Sequence, residues 1–173
     1  RGEALFRNVF DHAPVGILVL APDLQIVEAN RALCAMIGYS EEEVVGRPVT
    51  DFVHRDDHPA VEETRTGVLA GRDDELTTER RALCKDGRLL TVRVQSSVVR
   101  ARDRTMIISQ VLDVTEVRAR ERMLRDSEAR LRTLFEEAPI GMALIAPEGT
   151  LLQVNRALAS MLGKYVRELG MHR

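Results

Sequence analysis

His54, Asp56, Asp57 and His58 fill four of five consecutive positions, the densest group of side chains here able to move a proton or hold a cation. A metal would need them to converge. Pro59 sits at the first turn of a helix, so His58 stands at its start and His54 precedes it, and the two share no face. No metal site is therefore expected. His54-Arg55-Asp56 also opens like a kinase catalytic loop, but that chemistry needs an Asn five residues past the Asp, and Val61 occupies the place. Cys34 and Cys84 are too few for a disulfide framework or an unaided zinc site and read as buried packing residues. Gly71-Arg72-Asp73-Asp74-Glu75 is faintly like a cyclase signature, yet it closes a helix and reads as a turn. Ser96-Ser97 has no positioned His, and no Gly-rich phosphate loop occurs. No catalytic constellation results, and the region is not expected to be an enzyme.

The elements that carry these residues announce themselves through a repeat. Ala13-Pro14-Val15-Gly16, Ala21-Pro22 and Asn30-Arg31-Ala32-Leu33 return 125 positions later as Ala138-Pro139-Ile140-Gly141, Ala146-Pro147 and Asn155-Arg156-Ala157-Leu158. The register is unbroken and reaches upstream, with Glu3-Ala4 matching Glu128-Ala129. So long a period means whole domains in tandem. We expect the tail of an upstream connector helix at 1–9, a complete domain at 10–115, a connector helix at 116–136, and the N-terminal part of a second, truncated domain at 137–173.

Within the first unit, residues 15–20 are an apolar run bounded by Pro14 and Ala21-Pro22, a buried strand, and Leu24 to Glu28 make a second. Asn30 caps a helix that Gly38 ends, and Ser40 with Glu43 has capping-box spacing for another. A longer helix starts at Pro59 and stops at Gly71. Three strands follow: Leu76 to Cys84, a turn at Lys85-Asp86-Gly87, a strand with Leu90, Val92, Val94 and Val98 at even spacing, and Thr105 to Leu112. Thr115 is the expected cap of the charged helix beyond. Two strands, several helices, then three antiparallel strands predict an α+β domain whose five-stranded antiparallel sheet carries helices on its concave face. In 116–136, Val117, Leu124 and Leu131 recur every seven residues but the alternate seam is polar, which leaves a short coiled coil and a helix lying on its own domain both open.

The 173 residues are 45% apolar and 30% charged with a net charge of -2, ordinary for a globular chain and no reason to expect nucleic acid. No apolar run is long enough to span a bilayer and no signal peptide is evident, so no membrane contact by this region is expected. The missing initiator Met and incomplete second unit lead us to expect a piece of a longer protein, acting in the cytoplasm even where its parent is membrane-anchored.

The segments Ala13-Pro14-Val15-Gly16, Ala29-Asn30-Arg31-Ala32, Ile37-Gly38-Tyr39-Ser40-Glu41-Glu42-Glu43-Val44-Val45-Gly46, His54-Arg55-Asp56-Asp57, Lys85-Asp86-Gly87 and Asp113-Val114-Thr115-Glu116 stand in one order. In that order they resemble the PAS sensory-domain family of the bacterial "sensory box" type. The fourth segment departs from the family's usual His-Pro-Asp-Asp at Arg55. The resemblance implies the PAS fold, a pocket between sheet and helices, and a connector helix that passes a signal to an output domain. Asp113 and Thr115 match the junction where the last strand becomes the exit helix, both a turn device and a hinge for signal coupling. Covalent flavin is disfavoured: Gly46-Arg47 is followed by Pro48-Val49-Thr50, without the needed Cys, and Val111 stands where the flavin-contacting Gln belongs. The absence of Trp disfavours non-covalent flavin, and haem lacks its His within the long helix. The cofactor stays unknown, and none is an open alternative.

Candidate pocket linings are Ile17, Val19, Ile26, Met36, Val92, Val94, Met106 and Ile108, with Ser96 and Gln110 as polar contacts. The same side chains could instead simply fill the core. The expected function is a sensory module of a bacterial signalling protein whose output is a histidine kinase, a diguanylate cyclase or phosphodiesterase, or a phosphatase. The alternative is a ligand-free dimerisation scaffold. Ile140, Met142, Leu144, Leu151, Val154, Leu158 and Leu162 would lack closing strands, so a homodimer through the connector helix and residues 136–170 is expected.

Overall fold

The structure is a computed structural model that describes residues 2–71, 76–101 and 104–168. It divides into two units, 1–118 and 119–173. Most of the cyclase-like turn, Arg72 to Glu75, lies outside the described residues.

The first unit opens with α1 (Gly2–His12), then β1 (Gly16–Leu20), β2 (Ile26–Ala29), α2 (Arg31–Ile37) and α3 (Glu41–Val44). Two short 3₁₀ turns, Val49–Phe52 and Arg55–Asp57, lead into α4 (His58–Leu69). The strands β3 (Leu76–Leu83), β4 (Leu89–Ala101) and β5 (Arg104–Asp113) complete one antiparallel sheet in the order β2-β1-β5-β4-β3. The last strand is thus drawn into the middle of the sheet, between the first strand and the fourth. Helices α2, α3 and α4 cover one face, where Leu33, Ile37, Val44, Phe52, Val61 and Val68 meet Leu18, Ile26, Val92 and Ile107 from the strands. Each such side chain contributes about 1.5–3 kcal/mol on burial.

The local signals act as their chemistry requires. Asn30 accepts from the Leu33 amide to start α2, and Gly38, at φ 80°, ends it in the left-handed conformation, its N–H donating to the Cys34 carbonyl. Ser40 and Glu43 form the reciprocal capping box. The turn between β3 and β4 closes with Gly87 at φ 84° and sets the pairing Leu83 with Leu89, hence Arg80 with Val92.

Helix α5 (Thr115–Glu137) starts in the first unit and continues into the second, which adds β6 (Ala143–Ile145), β7 (Leu151–Val154) and α6 (Arg156–Glu168). The β6–β7 pair repeats the β1–β2 register under the 125-residue offset: Leu18 pairs Ala29 and Ala143 pairs Val154, with the same irregularity one residue later. The copies part at the glycine. Helix α6 runs through Gly163, because Lys164-Tyr165 follows it where Tyr39-Ser40 supplies the next N-cap in the first copy.

Candidate functional site

Between the sheet and its helices lies a cavity of about 70 Å³, lined mainly by aliphatic side chains. Of the ten residues expected to line a pocket, Ile26, Val92, Val94 and Ser96 do so. The other six do not. In β1, Leu18 and Leu20 face the cavity, which turns Ile17 and Val19 to the outer face of the sheet. In β5, Ile107, Ser109 and Val111 face it, which sends Met106 and Ile108 outward and leaves Gln110 exposed. The physical reason is parity: side chains alternate across a strand, so a one-residue misassignment inverts the whole face. Residues 17–20 and 106–108 are apolar on both faces, and nothing in them marks which is inner. Met36 packs against the core from α2, but Leu33 and Ile37 are the residues its helix turns to the cavity.

Five polar side chains reach the lining. Arg65 is engaged at the rim, where Nε donates to Glu62 at 2.7 Å. Ser96 and Ser109 share a hydrogen bond of 2.8 Å across β4 and β5. Thr64 of α4 donates to the Ala60 carbonyl at 2.8 Å and accepts from Arg80 Nη2 at 3.0 Å. Arg80, only 8% exposed, also donates from Nη2 to the Thr78 hydroxyl. Its Nε is buried and has no hydrogen-bond partner among the described residues. Burial pulls the guanidinium down from its ordinary pKa, and the charge of Asp57 opposes this. Sequence reading missed Arg80. The signal was present, because the hairpin register puts Arg80 opposite Val92, whose inward orientation the alternation of β4 makes plain.

The His54–His58 cluster does structural work. His54 Nδ1 accepts from the Asp56 amide at 3.3 Å, and His58 Nε2 lies 3.1 Å from the Val53 carbonyl. Asp57 takes three hydrogen bonds from Arg81: the amide at 2.8 Å, Nε at 3.0 Å and Nη2 at 2.7 Å. The Arg81 side-chain hydrogen bonds, above all, hold the Asp57 carboxyl at a pKa of about 2. The motif thereby pins the start of α4 to β3. Among the described residues, no cluster of His, Cys, Asp and Glu could hold a metal. Burial pushes both thiols up; Cys84 is 3% exposed and its Sγ lies 3.8 Å from the Met36 carbonyl.

At the junction, the expected cap is corrected. The Asp113 carboxylate, not Thr115, caps α5: its Oδ1 accepts from the Thr115 amide at 2.9 Å and from the Thr115 hydroxyl at 2.6 Å. Helix α5 already begins at Thr115, so that hydroxyl points back and accepts from the Thr91 amide of β4 at 2.9 Å. The Val114 amide donates to the Thr91 carbonyl, again at 2.9 Å. One turn on, Arg118 Nε donates to Glu79 of β3 at 3.0 Å, and Arg93 reaches the same carboxylate at 3.2 Å. The helix start is therefore fastened to β4 by backbone and side chain and to β3 by charge.

A family model described as PAS fold matches residues 4–114, and one described as PAS domain matches residues 129–172. "Probable diguanylate cyclase DgcE" of Escherichia coli is 25% identical over 142 residues, covering 81% of this chain and 13% of that protein. "Sensor histidine kinase TmoS" of Ectopseudomonas mendocina is 23% identical over 164 residues, 92% of this chain and 16% of that protein. The chain thus spans under a fifth of the length of these two relatives. The crystal structure of the PAS domain of an HTR-like protein from Haloarcula marismortui superposes with a TM-score of 0.57 at 26% identity, covering 65% of this chain and 91% of that one. Sheet order, helix-covered face and two matches in tandem agree: the chain belongs to the PAS family and is a sensory region of the signalling type.

Proposed function

We propose that this chain is a ligand-responsive module of a longer signalling protein. In this reading a small molecule enters the cavity, β4 and β5 adjust around it, and α5 passes the change to an output domain. That output would be a histidine kinase, a diguanylate cyclase or phosphodiesterase, or a phosphatase. One observation carries the reading. The strands that floor the cavity, through Val92, Val94, Ile107 and Val111, are also the strands whose ends hold the start of α5, through Thr91 and Asp113. A change in their separation cannot leave the helix start where it was. Asp113 and Thr115 are then the coupling residues.

The size of the cavity favours a second reading. Ligand pockets run to roughly 300–1,000 Å³, and about 70 Å³ is far below that. A ligand-free scaffold would look much like this. Native mass spectrometry of the chain purified from a bacterial host separates the two. The sensory reading expects an added mass that disappears on denaturation; a bare polypeptide mass supports the scaffold.

Both readings include a homodimer. On α5, Val117, Leu124 and Leu131 are 52%, 61% and 64% exposed, and in the second unit Ile140, Leu144 and Leu151 exceed half exposure. A second copy laid along this apolar stripe and residues 136–170 would cover them. Light scattering should return twice the chain mass; a monodisperse monomer contradicts it. We assign the region to the cytoplasm, where two free thiols persist. No described helix is long and apolar enough to cross a membrane.

A further inference from the structure

Among the described residues, Arg80 is the one group of the cavity that the packing leaves unfinished. The guanidinium is held between α4 and β3 by two neutral hydroxyls, those of Thr64 and Thr78, and both engage Nη2. Its Nε hydrogen, buried on the same fork, meets no acceptor among the described residues. No carboxylate among them pairs with Arg80 either. Asp57, whose charge acts on it, has its oxygens committed to Arg81. Arg stays protonated even here, and a buried charge without counter-charge is costly.

A cavity water could take the Nε hydrogen, but it would leave the charge uncompensated. An anion answers both needs. We propose that the cavity binds a short-chain aliphatic monocarboxylate, with the carboxylate on Arg80 Nε and the alkyl chain against Val92, Val94 and Ile107; this rests on the sensory reading above and names its ligand class.

Size and lining select within the anions. A water needs roughly 10–15 Å³ of such space, so about 70 Å³ admits a molecule of about five heavy atoms, a carboxylate of two to four carbons. Phosphate and sulfate offer nothing to the aliphatic wall that makes up most of the lining. A ligand so small reaches micromolar affinity at best.

The test follows the Arg80 Nε–H resonance in ¹⁵N-labelled chain titrated with sodium acetate, propionate and butyrate, and with propionamide as the uncharged match. The expected result is a saturable shift with propionate and binding at least ten-fold weaker for propionamide, the loss of a charge-assisted hydrogen bond. Arg80→Met should lose propionate binding by at least the same factor while remaining folded. Where Arg80→Met does not fold, Arg80→Lys keeps the charge, lacks the Nε donor, and should bind several-fold more weakly than wild type. An Nε signal unmoved by all three acids at millimolar concentration overturns the assignment, as does propionamide binding as well as propionate. In either case a neutral molecule found bound by native mass spectrometry would leave the sensory reading standing, whereas a bare mass would remove both.

Discussion

At the scale of single residues, Asn30 does more than its place in the sequence announces. It reads there as a helix cap, and its Oδ1 does accept from Leu33 at 3.0 Å. The same oxygen accepts from the Ile17 amide at 2.8 Å, while Nδ2 donates to the carbonyls of Phe10 and Val15, each at 2.9 Å. Fully buried, it joins α1, β1 and α2. Asn155 repeats three of these bonds in the second unit, to Met142, Leu158 and Ile140. Asn30→Ala strands several buried groups at about 1–3 kcal/mol each and should lower stability by about 3 kcal/mol or more in urea unfolding. Asp57 makes a pH-dependent contribution. Its folded pKa of about 2 lies below the ordinary 3.8, so the folded state holds fewer protons and the stabilisation is present above pH 4. It fades as pH falls through 2. Asp57→Asn should cost about 2 kcal/mol at pH 7, and the gap between the two urea midpoints should close between pH 4 and 2.

At the scale of elements, legibility followed contrast. Strand β4 alternates Val92, Val94 and Ser96 with Thr91, Arg93 and Gln95, so its inner face could be read, and every one of its expected residues lines the cavity. Strands β1 and β5 carry apolar side chains on both faces, and there the reading inverted. Their parity comes from pairing, Gly16 opposite Val111 and Leu18 opposite Ser109, which is information held between strands rather than within either. Gly16 itself marks the inner face, since a Cβ there would lie 3.1 Å from the Leu33 side chain. The junction was legible as a motif but not as a geometry: that Asp113 caps while Thr115 reaches back to Thr91 depends on where α5 starts. Thr115→Val removes the acceptor of the Thr91 amide and should cost about 1–2 kcal/mol. Exchange of the Thr91 amide and the first turn of α5 should quicken, with α2 unchanged; equal quickening in α2 would mean only global destabilisation.

At the scale of the whole molecule, the tandem order was plain from the repeat, since an offset of 125 preserves sequence, β-pairing and the buried asparagine alike. The proposed ligand class was not plain, because Arg80, the group it would meet, looks on paper like one more surface arginine. Only the fold encloses it. The central claim is that the state of the cavity and the state of α5 are one equilibrium, carried by β4 and β5. Filling the cavity without a ligand tests this most directly. Val94→Phe adds a ring to the lining, and hydrogen exchange is then followed along α5 in wild type and variant. Coupling predicts that protection in the first two turns of α5, residues 115–122, changes by more than the global stability does. If those amides shift only in step with global unfolding while the cavity is filled, the helix does not report on the cavity and the sensory account fails.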